Sequence, residues 1–289
     1  MGLQLIVPVI AAYIAYSIAD KPGIAPGLII GMLAAKMGTG FLGGIVVGFL
    51  VGYIANGIKR ISVPDTLMPA MSILVVPVLS AFIVGMLMIY LVGVPIAALT
   101  KGLTVWLNSM SGTNAIVLSF ILGMMMAFDM GGPINKVAYT MALAAFEAQA
   151  YVISSAVFIA ISIPPLGLAL ASFLAPKKYT EIEREAAKSG VVMGIIGITE
   201  GAIPFAVADP IRVIPSIMLG SAVAAALGAA LGVSNPTIMS TVLGIPFVSS
   251  PVLHILAVVV GVTVTALLVN FLKSEIKIEE LENANTLGV

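Results

Sequence analysis

The chain has 289 residues, of which 60% are hydrophobic and 9% charged, and its 13 basic side chains balance its 13 acidic ones. A soluble domain carries about 25% charged residues, so this composition excludes one and specifies an integral membrane protein. Zero net charge gives no footprint for a nucleic-acid partner. The lack of cysteine and the single histidine, His254, exclude disulfides, thiolate chemistry and any Cys- or His-based metal centre.

Inside lipid the backbone must satisfy its own hydrogen bonds, which leaves a helix bundle or a closed barrel. The apolar runs are continuous and rich in Ala, Leu, Met and Gly, whereas barrel strands alternate. The expected fold is all-α, a polytopic transmembrane helix bundle with re-entrant segments. Apolar segments are expected near residues 3–19, 26–35, 40–58, 68–93, 113–128, 137–163, 213–233 and 252–272. The first begins abruptly, with no basic n-region and no cleavage site, which argues against a signal peptide and for spans missing ahead of it. The second is short enough for a half-helix. Residues 95–114, with Lys101 and Trp106, suit an interfacial helix. "ISIPPLGLALASFLAP" reads either as one broken span or as two elements.

The pieces at 164–175, 191–209 and 234–251 are too short or too interrupted to be plain spans. Broken helices at membrane depth are tolerated where they line a cavity, and in transporters they build the substrate site. The charged loop "PKKYTEIEREAAKSG", residues 176–190, holds four basic residues. With Lys59, Arg60, Lys273 and Lys277 it sets the cytoplasmic side of a multi-pass protein of the cell membrane. Residues 1–272 form the membrane domain and 273–289 a polar cytoplasmic tail.

Two stretches carry the chemistry. "GIIGITEGAIPFAVADPIRVIPS", residues 194–216, puts Glu200, Asp209 and Arg212 among Gly197, Gly201, Pro204, Pro210 and Pro215. Ionisable residues in such segments face a cavity or a partner. Glu200 can accept hydrogen bonds from sugar hydroxyls, hold a proton or cation, or pair with Arg212. Asp209 fits an N-cap before Pro210, with Arg212 three residues on in reach of an ion pair. "FDMGGPINKVAY", residues 128–139, surrounds Gly131, Gly132 and Pro133 with Asp129, Asn135 and Lys136. It reads equally as a tight turn or as a cavity-lining loop. Glu147 and Gln149 are expected to face the bundle interior, and His254 to sit at an interfacial helix start. No G-x-x-x-x-G-K-[ST] occurs, so transport energy must come from an ion gradient or a partner.

"GITEGAIPFAVADPIRVIPS" and "MMMAFDMGGPINKVAY", with "PVIAAYIAYSIADKPGIAPGLIIGMLAA" and "WLNSMSGTNAIVL", resemble the fructose-specific enzyme IIC permease of the bacterial phosphoenolpyruvate–sugar phosphotransferase system. The resemblance runs from the first residues to about residue 222. It implies a homodimer in membrane lipid that moves a sugar, fructose by default, while a phosphorylated enzyme IIB partner supplies the phosphoryl group. It implies Glu200 as the sugar ligand that orients a hydroxyl, flanked by Thr199 and Gly201. Asp129, Asn135, Gly131 and Gly132 then line the same cavity, and Asp209 with Arg212 becomes a structural pair. No cofactor or metal is implied. The family's Pro-His-Gly-Gly motif is replaced here by "SNPTIMSTVLGIPFVSSPVL". Two other readings remain open: an ion-coupled secondary sugar transporter or facilitator using Glu200, and a non-transporting remnant.

Overall fold

The computed structural model describes residues 5–61, 63–110, 112–238 and 242–275. Among them the regular elements are all helical. The chain divides into two compact units, residues 1–107 and 108–289.

In the first unit, α1 (Ile6–Ala19), α2 (Ile24–Lys36) and α3 (Gly40–Lys59) pack on one another. Small residues permit this close approach. A Cβ on Gly27 would lie 2.6 Å from the Ala12 Cα, and one on Gly48 would lie 2.6 Å from the Ile14 Cβ. Asp20, at φ 60°, turns the chain out of α1. Lys59 closes that corner, 2.9 Å from Asp20 Oδ2 and donating to the Ala19 carbonyl at 3.1 Å. As the sequence suggests, α2 is short.

The long helix α4 runs from Met68 to Ser109. The span expected at 68–93 and the separate interfacial helix expected at 95–114 are therefore one element. Pro69 lies in its first turn, and the surroundings of its two interior prolines explain how it stays continuous. Pro77 and Pro95 have no N–H to give the carbonyls of Ile73 and Leu91. Wide π turns at Met71–Val75 and Met88–Val92 take up the mismatch just before each proline. Trp106 lies near its end and is 43% exposed.

The second unit contains α5 (Thr113–Phe128), α6 (Pro133–Glu147), α7 (Tyr151–Leu174), α8 (Glu181–Ile196), α9 (Ile203–Ala208), α10 (Pro210–Ala230) and α11 (Pro251–Leu272). Helix α10 packs against α5, α7 and α11, and α7 also packs against α8. The segment expected at 137–163 is in fact broken at residues 148–150, where Gln149 adopts φ 60°. Glu147 and Gln149 are exposed at this break and do not face the interior. By contrast, α7 continues straight through Pro164 and Pro165, so "ISIPPLGLALASFLAP" ends one span and is not two elements. Pro164 leaves the Ala160 carbonyl without its helical donor. The Ser221 hydroxyl of α10 donates to that carbonyl at 3.4 Å, and Ser162 donates to the Gly194 carbonyl of α8. A neighbouring helix thus re-satisfies the backbone, as the membrane interior demands.

Among the described residues, five helices are long and apolar enough to cross a membrane: α3, α4, α7, α10 and α11. Helices α1 and α5 are apolar but shorter. His254 lies in the first turn of α11, as expected, and is 2% exposed. Residues 276–289, most of the expected polar tail, lie outside the described residues.

Candidate functional site

Three of the helix breakers in residues 194–216, Gly197, Pro204 and Pro210, end or start an element, whereas Pro215 lies inside α10. Helix α8 stops at Gly197, which takes the left-handed conformation (φ 93°) and donates to the Met193 carbonyl at 2.8 Å. Only glycine adopts this C-terminal geometry without strain. A single 3-10 turn, Thr199–Ala202, follows and carries Glu200. Pro204 then sits in the first turn of α9, and Pro210 in the first turn of α10. Asp209 separates these two helices. One of its oxygens accepts from the Arg212 N–H at 3.4 Å, and the other lies 2.9 Å from Arg212 Nη1. This pair therefore organises the start of α10.

The turn carrying Glu200 rests on the bundle. Thr199, Gly201 and Ala202 are buried, while Glu200 is exposed. A Cβ on Gly201 would come within 3.1 Å of both Met193 and Pro165. The turn is thus seated against α8 and against the proline pair of α7. The Thr199 hydroxyl donates to Glu200 Oε2 at 3.4 Å.

The loop between α5 and α6 is built by Asp129. Its Oδ2 accepts from the Ile134 N–H at 2.7 Å and its Oδ1 from the Asn135 N–H at 2.8 Å. These are first-turn donors of α6, which have no partner inside the helix. Asn135 is 8% exposed and donates to the Met126 carbonyl, tying α6 back to α5. Met130 (φ 46°) and Gly131 (φ 107°) both take left-handed conformations between these anchors. A Cβ on Gly132 would lie 2.5 Å from Asp129 Oδ2, so the loop closes tightly on its own cap. Lys136 Nζ donates to the Gly131 carbonyl at 2.6 Å.

The two loops meet at Gly131 and Glu200. A Cβ on Gly131 would lie 2.5 Å from Glu200 Oε1 and 3.0 Å from its Cδ. The carboxylate is therefore laid against bare backbone, close to the carbonyl that holds Lys136. Gly131→Ala is expected to lower stability by about 1–3 kcal/mol, because strain at this φ adds to displacement of the carboxylate. Thermal unfolding of the purified protein checks this, and a wild-type Tm in the variant would contradict it.

The structure thus brings Glu200, Thr199 and Gly131 together, with Lys136 beside Gly131. It commits both oxygens of Asp129 to backbone donors and turns Asn135 inward. Asp209 and Arg212 pair with each other, beyond α9 in the chain from Glu200. Among the described residues there is no group of three or more Asp, Glu or His placed to hold a metal.

The class of protein follows from these features. A multi-pass helix bundle with two glycine-broken polar loops converging on one carboxylate is the kind of arrangement from which membrane transporters build a substrate site. Residues 1–220, which include both loops, match the family model described as "Phosphotransferase system, EIIC". The chain is 42% identical over 273 residues to "Fructose-like permease IIC component 2" of Escherichia coli (strain K12), covering 94% of this chain and 76% of that protein. It is 44% identical over 290 residues to "PTS system fructose-specific EIIC component" of Haloferax volcanii, covering 94% and 77%. It is 50% identical over 283 residues to "PTS system fructose-specific EIIB'BC component" of Rhodobacter capsulatus, covering 96% of this chain and 49% of that protein. The chain belongs to the EIIC family, the sugar permease subunits of the phosphotransferase system that work with an EIIB component. No solved structure matches it.

Sequence reasoning passed over one polar group in this unit, buried Tyr179, Glu183 and Lys273 with half-buried Asn270. Part of it was readable. Thr180 and Glu183 have the spacing of a capping box, and both reciprocal hydrogen bonds of that box are present.

Proposed function

We propose that this chain binds fructose at Glu200 and presents one of its hydroxyls to a phosphorylated EIIB partner while the sugar crosses the membrane. The relatives' names support fructose as the sugar, and the one from Rhodobacter capsulatus carries EIIB parts in the same protein. The observation that carries the reading is the Glu200 carboxylate laid against Gly131. There it is exposed and accepts only a long hydrogen bond from Thr199 among the contacts described above.

A carboxylate in this setting takes hydrogen bonds from sugar hydroxyls, and such charge-assisted bonds are the strong ones. Thr199 and Lys136 supply neighbouring donors. Asp129 and Asn135 act one step back, fixing the loop that carries Gly131. The chain has no cysteine to accept a phosphoryl group, and its one histidine is buried in α11. Its contribution to the transfer is then positioning the hydroxyl and shaping the field around it. The bond between phosphorus and its carrier side chain on EIIB breaks as the new P–O bond to the sugar oxygen forms, the hydroxyl proton passes to the Glu200 carboxylate, and EIIB leaves unphosphorylated. The strongly exposed apolar side chains of α4, such as Ile73 and Tyr90, are suited to lipid and to a second copy in a homodimer.

Saturable binding of labelled fructose to the purified protein, without any phosphoryl donor, is the expected result. Folded protein that takes up no fructose at equilibrium would overturn the reading.

A further inference from the structure

Tyr179 lies in the most charged stretch of the chain, yet it is 2% exposed. Its hydroxyl donates to Asn270 Oδ1 at 2.8 Å, and Lys273 Nζ stands 4.4 Å from its ring centroid. Lys273 in turn contacts Glu183 Oε1 at 2.5 Å, with the two side chains 8% and 1% exposed. The other Glu183 oxygen accepts from the Thr180 N–H at 2.8 Å and from its hydroxyl at 3.1 Å. Lys178 and Asn270 complete the clasp. Lys178 Nζ donates to the Asn270 carbonyl at 2.6 Å, and Asn270 Nδ2 donates to the Ala171 carbonyl at 2.9 Å. The ends of α7, α8 and α11 are thereby tied around one tyrosine ring. Burial raises the Tyr179 hydroxyl pKa, and the nearby Glu183 and Asp209 carboxylates raise it further, so it stays a neutral donor.

Desolvating two charges offsets most of what their attraction returns, so a buried ion pair is weak evidence of a purely stabilising role. The free edge of the ring indicates another role. Tyr179 meets Phe205 edge-on, with centroids 5.9 Å apart at 76°. Phe205 belongs to α9, which begins directly after the turn carrying Glu200. One buried cluster contains Tyr179, Phe205 and Ala202, and it also contains Ala127 near the end of α5 and Met130 from the Asp129–Gly131 loop. The ring therefore belongs to the same buried cluster as residues of both loops that meet at Glu200.

We infer that Tyr179, held by the Lys273–Glu183 pair and Asn270, is a positioning residue that sets the Glu200 turn against Gly131. The inference rests on Glu200 being the sugar ligand. It makes the clasp at the helix ends part of the binding geometry.

Equilibrium fructose binding by the purified full chain tests this, with affinity and the number of binding sites read separately. Tyr179→Leu is expected to raise Kd about tenfold in the protein that remains folded, the scale of a misplaced positioning contact. Tyr179→Phe keeps the ring and is expected to stay within about twofold, since one neutral hydrogen bond is worth little net. Phe205→Leu interrupts the same contact from the other side and is expected to match Tyr179→Leu, which covers the case in which the latter does not fold. Wild-type Kd with only fewer sites, in whichever of these two variants folds, would make the role merely structural and overturn the inference. Glu200→Gln serves as the control. If it loses binding while the Tyr179 and Phe205 variants bind normally, the positioning role alone fails. If it binds like wild type, the reading of Glu200 fails and the inference with it.

Discussion

Replacing Glu200 by Gln is expected to weaken fructose binding by roughly 10- to 100-fold, the loss of one or two hydrogen bonds to a charged acceptor. Glutamine keeps the shape of the side chain and its place against Gly131, so the packing of the 3-10 turn on Pro165 and Met193 is unaffected. Because Glu200 is exposed, thermal stability is expected to change little. Turnover in phosphoryl transfer should fall at least as far as affinity, since the amide cannot hold the hydroxyl in the same polarised state. Affinity within twofold of wild type would remove Glu200 from the site.

The largest effect on stability is expected at Lys273. Lys273→Met leaves the Glu183 carboxylate buried without its cation, a change that costs about 3–5 kcal/mol in comparable buried pairs. Glu183 is 1% exposed and its partner 2.5 Å away, so water does not compensate. The double variant Glu183→Met with Lys273→Met removes both charges and should recover most of the loss. Thermal unfolding in detergent reads both. An unchanged Tm for Lys273→Met would mean that the pair is not desolvated as the structure indicates.

Much of the site was legible because breakers in an apolar run have few uses. Gly197, Pro204 and Pro210 each mark an element end that sterics dictate. The Asp209–Arg212 pair followed from spacing alone, since both residues share one helical turn. Sequence reasoning divides helix α4 near Pro95, which looks like a stop, although the span expected at 68–93 already runs through Pro77; a π turn that absorbs a proline leaves no signature in composition. The break at 148–150 was missed for the opposite reason. "EAQAY" contains no Gly or Pro, and only the left-handed Gln149 ends the run. The contact of Gly131 with Glu200 joins residues far apart in sequence, as does Lys273 with Glu183, and no local pattern reports either. Asp129 illustrates the limit differently. Composition marked it as polar and interesting, but only the backbone geometry shows that both its oxygens serve the start of α6.

The central claim is that the sugar held at Glu200 receives its phosphoryl group from EIIB. Its most direct test is uptake by vesicles containing the purified chain, with labelled fructose outside and phosphorylated EIIB within. The account predicts that the label accumulates as a fructose phosphate ester, only when phosphorylated EIIB is present, and that Glu200→Gln lowers the rate by at least roughly tenfold. Accumulation of unmodified fructose driven by a pH gradient, without EIIB, would contradict the account and identify an ion-coupled transporter instead.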